Sequence, residues 1–152
     1  MHQPLSLSCI YSMILQLQGC YEYNMKIRRI IKSIHNKMKS KKAVSYYRGK
    51  ENFNCAQAIL KAYQEDFNIT DQQILEYKKF GGGKAEGGVC GALFAAKKLI
   101  HNEDISNHVE QHFSKAAGAI TCREILSLKQ LSCHKCVENI AESLDEYLKG
   151  KK

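Results

Sequence analysis

Cysteine side chains at positions 55, 90, 122, 133 and 136 stand out in a chain of 152 residues. A thiol can attack a disulfide, bind a soft metal ion, or sit buried as a small hydrophobe. The residues beside these cysteines favour chemistry. Cys55 follows Asn54, Cys122 follows Thr121, and Cys133 follows Ser132. Asn, Thr and Ser are residues that cap helix starts. Cys90 opens a helical run after a glycine-rich stretch. The first turn of a helix has unpaired N–H groups and the positive end of the helix dipole. Both favour thiolate over thiol, so these positions predict lowered thiol pKa values. Placement of Cys55, Cys90, Cys122 and Cys133 on four helix starts predicts a shared catalytic or metal-binding site, with Cys136 as a further metal ligand.

Residues 78–98, "KKFGGGKAEGGVCGALFAAKK", surround Cys90 with six of the chain's ten glycines. They do not form a phosphate loop. Gly83-Lys84 is followed by Ala85 where a Walker motif needs Ser or Thr, and GxGxxG fails at Glu86. The expectation is instead that Gly87, Gly88 and Gly91 let backbone approach the Cys90 sulfur and whatever cofactor sits beside it. The small run Gly91-Ala92…Ala95-Ala96 predicts close approach of a neighbouring helix. Cys133-His134-Lys135-Cys136 is a CxxC without the following His of a haem attachment site. His108 and His112 are spaced i,i+4 but lack the HExxH order, and read as exposed helix surface.

The elements that must position these thiols read as all-α: a bundle of five to seven short helices with a Gly-rich loop. "NCAQAILKAYQEDF", "TDQQILEYKKF" and "TCREIL" each pair a capping residue with Gln or Glu three positions on. "SCHKCVENIAESLDEYL" carries an apolar stripe of Val137, Ile140, Ala141, Leu144 and Leu148 behind Ser132. Gly118 is the expected C-cap of the helix before it. The organisation reads as a leader over 1–24, a basic amphipathic helix over 25–40, and a helical cysteine domain over 41–150.

Charge is confined to one segment. Residues 26–50 hold ten Lys and Arg and no Asp or Glu, whereas residues 51–152 hold thirteen against fourteen. The formal charge of +8 is therefore no argument for nucleic-acid binding by the main domain. The basic helix could instead rest on a membrane surface or a partner. An odd total of seven cysteines, widely spaced, argues against a small disulfide scaffold. It fits a reducing cytoplasm. The alternative is a lipoprotein anchored at Cys20, since "LQGC" at 17–20 resembles a lipoprotein cleavage site. No Lys or Arg precedes its apolar run, as a secretory signal requires.

Taken together, "NFNCAQAIL", "FGGGKAEGGVCGALFAA", "TCREI" and "SCHKCV" resemble the C-GCAxxG-C-C family of redox-active proteins, over roughly residues 41–148. The resemblance implies that Cys55, Cys90, Cys122 and Cys133 are the four family cysteines. The family's CGAxxG element would be Cys90-Gly91-Ala92-Leu93-Phe94-Ala95, with Ala95 in place of the last glycine. Cys136 then stands as an extra. The resemblance also implies an oxidoreductase- or transporter-associated partner. It leaves two chemistries open: dithiol–disulfide exchange, or thiolates holding an iron–sulfur cluster or another thiophilic metal. The alternative class is a docking module on membrane or nucleic acid, with structural cysteines.

Overall fold

The computed structural model describes residues 24–28, 30, 31 and 39–150. The chain divides into a unit ending at His35 and a unit beginning at Asn36. In the first unit, residues 25–28, 30 and 31 of the expected basic helix are helical, and so is residue 24 before it. Residues 29 and 32–38 of that expected helix lie outside the described residues. So do residues 1–23 of the expected leader over 1–24, with Cys9 and Cys20.

The second unit is an all-α bundle of short helices. Residues 39–46 are helical, and a turn leads to α1 (Cys55–Ala62) and α2 (Asp71–Glu76). Two 3-10 turns follow, Tyr77–Phe80 and Glu86–Gly88, then α3 (Gly91–Leu99), α4 (Glu103–Ala117), α5 (Cys122–Leu128) and α6 (Cys133–Gly150). Among the described residues, no helix is long and apolar enough to cross a membrane.

The capping chemistry read from sequence sets most of these starts. Asn54 and Gln57 make a reciprocal capping box on α1, and Thr70 and Gln73 make one on α2. Thr121 accepts from the Glu124 N–H, but the Glu124 carboxylate turns to the Thr121 hydroxyl at 2.6 Å instead of the backbone, so the box on α5 is half formed. Ser132 accepts from the Lys135 N–H at the start of α6. Gly118 closes α4 in the left-handed region at φ 79°.

Packing follows the small residues. α1 lies closest to α3, where Ala56, Ala92, Ala95 and Ala96 are fully buried. Small side chains let the two backbones approach, as the Gly91–Ala96 run predicts. α6 lays its buried stripe of Val137, Ile140, Ala141 and Leu144 against α1, α3 and α4. Phe113 from α4 and Leu93 from α3 complete the centre of the core. The described unit has no strands, only isolated bridges. One of them, Val89 to Thr121, ties the residue before Cys90 to the cap before Cys122. The Cys90 N–H donates to the Ile120 carbonyl at 2.8 Å and fixes the same junction.

Candidate functional site

The starts of α1, α3, α5 and α6 meet. Cys55, Cys90, Cys122, Cys133 and Cys136 line one cavity of about 10 Å³, closed by Ile125 and Leu126. That is barely the volume of one water centre, so the thiols pack against one another. All five are reduced. Cys55, Cys122 and Cys133 are the first residues of α1, α5 and α6, and Cys90 is the N-cap of α3. Sequence placed four of these at helix starts. The CxxC spacing puts Cys136, one turn into α6, in the same cavity. Cys136 is not an extra beside the set. It is the most deeply buried of the five, at 2 % exposure.

Among the sulfurs, Cys55 interacts with Cys90, and Cys90 with Cys136. Separately, Tyr47 is hydrogen-bonded to Cys133. The expected N–H groups do reach sulfur: those of Gly82 and Ala92 point to Cys55, and that of Leu93 to Cys90. Each favours the thiolate. They are outweighed. Hydrogen bonding with Cys90, burial and the neighbouring Cys90 charge push the Cys55 thiol well above its usual range. Hydrogen bonding with Cys136 and burial push Cys90 up to about 12, against the lowering effect of Cys55. Burial, with Cys55 and Cys133 nearby, raises Cys122. The lowered pKa values predicted from helix starts are thus reversed for these three cysteines. Crowding sulfurs into a dry cavity penalises the charged form more than a few N–H groups stabilise it.

Two of the glycines pack against sulfur-bearing residues. A Cβ on Gly91 would sit 2.8 Å from the Cys55 Sγ and 2.8 Å from the Phe80 carbonyl. Gly91 therefore makes room for Cys55 across the α1–α3 contact. Gly83, at φ 78°, would place a Cβ 3.0 Å from the Cys122 Cβ. Gly87 and Gly88 approach no sulfur; they adopt positive φ in the loop and line a cleft.

That cleft, of about 800 Å³, has Cys55, Cys122 and Cys133 in its wall. Cys90 and Cys136 lie behind them, outside the cleft lining. The thiols are thus layered, three toward the open space and two inward. Tyr47 and Arg48 also line the cleft. The Tyr47 ring meets His134 edge-on at 4.8 Å, and its hydroxyl is held protonated above its ordinary range by burial and by Cys133. Neither residue was legible as functional in sequence, because both reach the site through a loop. The signal lies in the fold: Tyr47 bridges to Phe53, two residues before Cys55.

As arranged, no three Cys, His, Asp or Glu among the described residues surround a common point suited to a metal ion. The thiols have the softness for one. His108 and His112 are exposed on α4, away from the cysteines, as expected.

Neither a curated protein nor a solved structure matches the chain. A family model described as "Putative redox-active protein (C_GCAxxG_C_C)" matches residues 53–147, a span that takes in all five clustered cysteines. That match covers well over half of the sequence, and the chain belongs to this C-GCAxxG-C-C family.

Proposed function

We propose that the protein exchanges electrons by dithiol–disulfide chemistry at the cleft, with Cys133 as attacking thiol and Cys122 as resolving thiol. The observation that carries the reading is the layered cluster: five free thiols lining one small cavity, three of them also in a cleft wall. A dry cluster of this kind resists charge, yet it can give up two electrons, because a disulfide is neutral.

The exchange step balances as follows. The Cys133 sulfur, as thiolate, attacks one sulfur of a substrate disulfide. An S–S bond forms to Cys133, the substrate S–S bond breaks, and one substrate thiolate leaves and takes up a proton. The Cys122 sulfur then attacks Cys133 and releases the second substrate thiol. The protein loses two electrons and the substrate disulfide gains them. Cys133 is partly exposed and faces the cleft, and the Tyr47 hydroxyl can donate to its sulfur while charge moves through it. Cys90 and Cys136 supply a second rank of thiols to which, through Cys55, a disulfide can migrate.

The test is anaerobic reduction of the full chain, a free-thiol count, and titration with a small disulfide. Thiols should disappear in pairs, with a Cys122–Cys133 cross-link recovered by peptide mapping and reversed by dithiothreitol. Thiols that stay constant in number under excess disulfide would overturn the reading.

A further inference from the structure

The cleft in front of the thiols carries its own charge pattern, which the exchange chemistry does not use. Two guanidinium groups line it, Arg48 and Arg123, against one carboxylate, Glu124. Glu124 is engaged with the Thr121 hydroxyl and stands on the rim shared with a second hollow on the far side of α5. Neither arginine has a carboxylate partner among the described residues.

Both arginines occupy places that local structure disfavours. Arg48 has φ 53°, a left-handed conformation uncommon outside glycine. It is pinned there by its N–H bond to the Phe53 carbonyl at 2.9 Å, and its guanidinium lies 5.4 Å from the centre of the Tyr47 ring. Arg123 sits in the first turn of α5, directly after Cys122, at the end of a helix where a cation is unfavourable. Each is adjacent in sequence to a residue of the redox site: Arg48 to Tyr47 and Arg123 to Cys122. A concave space of about 800 Å³ is the size of small-molecule sites.

We infer that the cleft selects a small anionic substrate: a low-molecular-weight disulfide, or its thiol, whose flanking groups are carboxylates. Arg48 and Arg123 hold the carboxylates, and the S–S bond lies over Cys133 and Cys122. Arginine suits this because its planar fork takes a carboxylate through two parallel bonds. The inference rests on the proposed exchange chemistry for its reaction, but not for its binding step.

The experiment separates the two. The reduced full chain is mixed with glutathione disulfide, neutral 2-hydroxyethyl disulfide and cationic cystamine. Each rate is divided by that disulfide's rate with dithiothreitol, which removes intrinsic reactivity. Glutathione disulfide should be favoured over cystamine by at least about tenfold, and the preference should shrink with added salt. Arg48→Gln and Arg123→Gln should each reduce the preference several-fold, while Lys115→Gln, which removes a cation away from the cleft, leaves it unchanged. Equal normalised rates, or a preference for cystamine, overturn the inference and leave the exchange chemistry standing. Binding of unreactive S-methylglutathione is measured in parallel by calorimetry. Binding that is lost in Arg48→Gln and Arg123→Gln, without exchange on any disulfide, supports the anionic cleft and overturns the exchange chemistry. Absence of S-methylglutathione binding together with equal rates overturns the inference outright.

Discussion

Two buried clusters of titratable groups lie within the bundle, and they are built on opposite logic. At the helix starts, Cys55, Cys90 and Cys136 lie side by side, with no carboxylate or cation in their cavity. Farther along α6, Asp145 is 5 % exposed and meets the fully buried Tyr63, the residue that ends α1. The Tyr63 hydroxyl lies 2.6 Å from the Ala141 carbonyl and 2.7 Å from an Asp145 oxygen. Burial raises the Asp145 carboxyl to about 6, against the lowering effects of Tyr63, Lys39 and Lys149, while Asp66 adds to the rise. Both clusters are pushed toward the neutral form. The thiols can leave that state by losing electrons. The carboxyl can leave it only by losing a proton. The first cluster is therefore suited to redox work and the second to holding α1 on α6.

The largest effect that sharpens this contrast belongs to Cys133→Ser. It removes the attacking sulfur and should lower disulfide exchange by at least about a thousandfold, since a serine hydroxyl stays protonated and forms no mixed disulfide. Cys133 is only partly buried, so the thermal midpoint should move little. Stopped-flow exchange and a melting curve check both halves. Full exchange activity in this variant would move the first attack to another sulfur.

Next comes Gly91→Ala, which tests whether the thiol end is packed as tightly as the core. The added methyl would meet the Cys55 Sγ and the Phe80 carbonyl, both at 2.8 Å. One of these is backbone and cannot swing aside. Overpacking at such a site costs about 1–3 kcal/mol, and the cost should appear as a lower denaturation midpoint in urea. The same substitution at Gly82, where nothing lies within 4 Å of the added carbon, adds only the strain of φ 62°. A Gly91→Ala variant as stable as the parent would show that the α1–α3 contact is loose.

These two substitutions mark how far the sequence was readable. The capping residues Asn54, Thr70, Thr121 and Ser132 announced the helix starts, because a cap is local chemistry. The cysteine positions followed from the caps. What the caps could not convey was the environment created when four helix ends meet. A cysteine at the first turn of an isolated helix has its pKa lowered; one walled in by other sulfurs has it raised, and Cys90 ends at about 12. Cys136 belonged to the set all along, but only the packing of α6 shows which way its turn faces. Gly91 was legible as a close approach, though the partner it admits is Cys55, 36 positions earlier in sequence. Tyr47 and Arg48 were invisible, since a loop residue carries no period.

At the carboxyl cluster the contrast predicts a pH dependence. The Asp145 carboxyl is raised from its ordinary value of 3.8 to about 6. A raised carboxyl contributes stability that is complete below its unfolded pKa and is lost as pH rises through the folded value. The window is therefore about pH 4 to 6, and the contribution is on the order of 3 kcal/mol. The protonated carboxyl carries no charge to desolvate in this buried site, which is what offsets the lowering effect of the Tyr63 hydroxyl. Asp145→Asn mimics that state at every pH. Its urea stability should match the parent near pH 4 and exceed it above pH 6, with exchange activity unchanged. If the difference between the two proteins stays flat across the window, Asp145 does not titrate there.

The smallest effect tests whether Tyr47 belongs to the thiol cluster or only to its packing. Tyr47→Phe keeps the ring that meets His134 and removes the hydroxyl bonded to Cys133. A hydrogen bond to a charged group is worth about 1.5–3 kcal/mol when fully formed. In exchange, charge on the Cys133 sulfur is partial and transient, so a several-fold fall in rate is expected instead of a complete loss. The discriminating measurement sets rate against stability at one pH. If the hydroxyl supports attack by Cys133, the exchange rate should fall in Tyr47→Phe while the urea midpoint stays near that of the parent. If Tyr47 only packs, the midpoint should fall and the rate should hold. The Tyr63→Phe variant supplies the matched control: it deletes the other buried tyrosine hydroxyl of α1's surroundings and should lower stability by about 1–3 kcal/mol while leaving the exchange rate where it was.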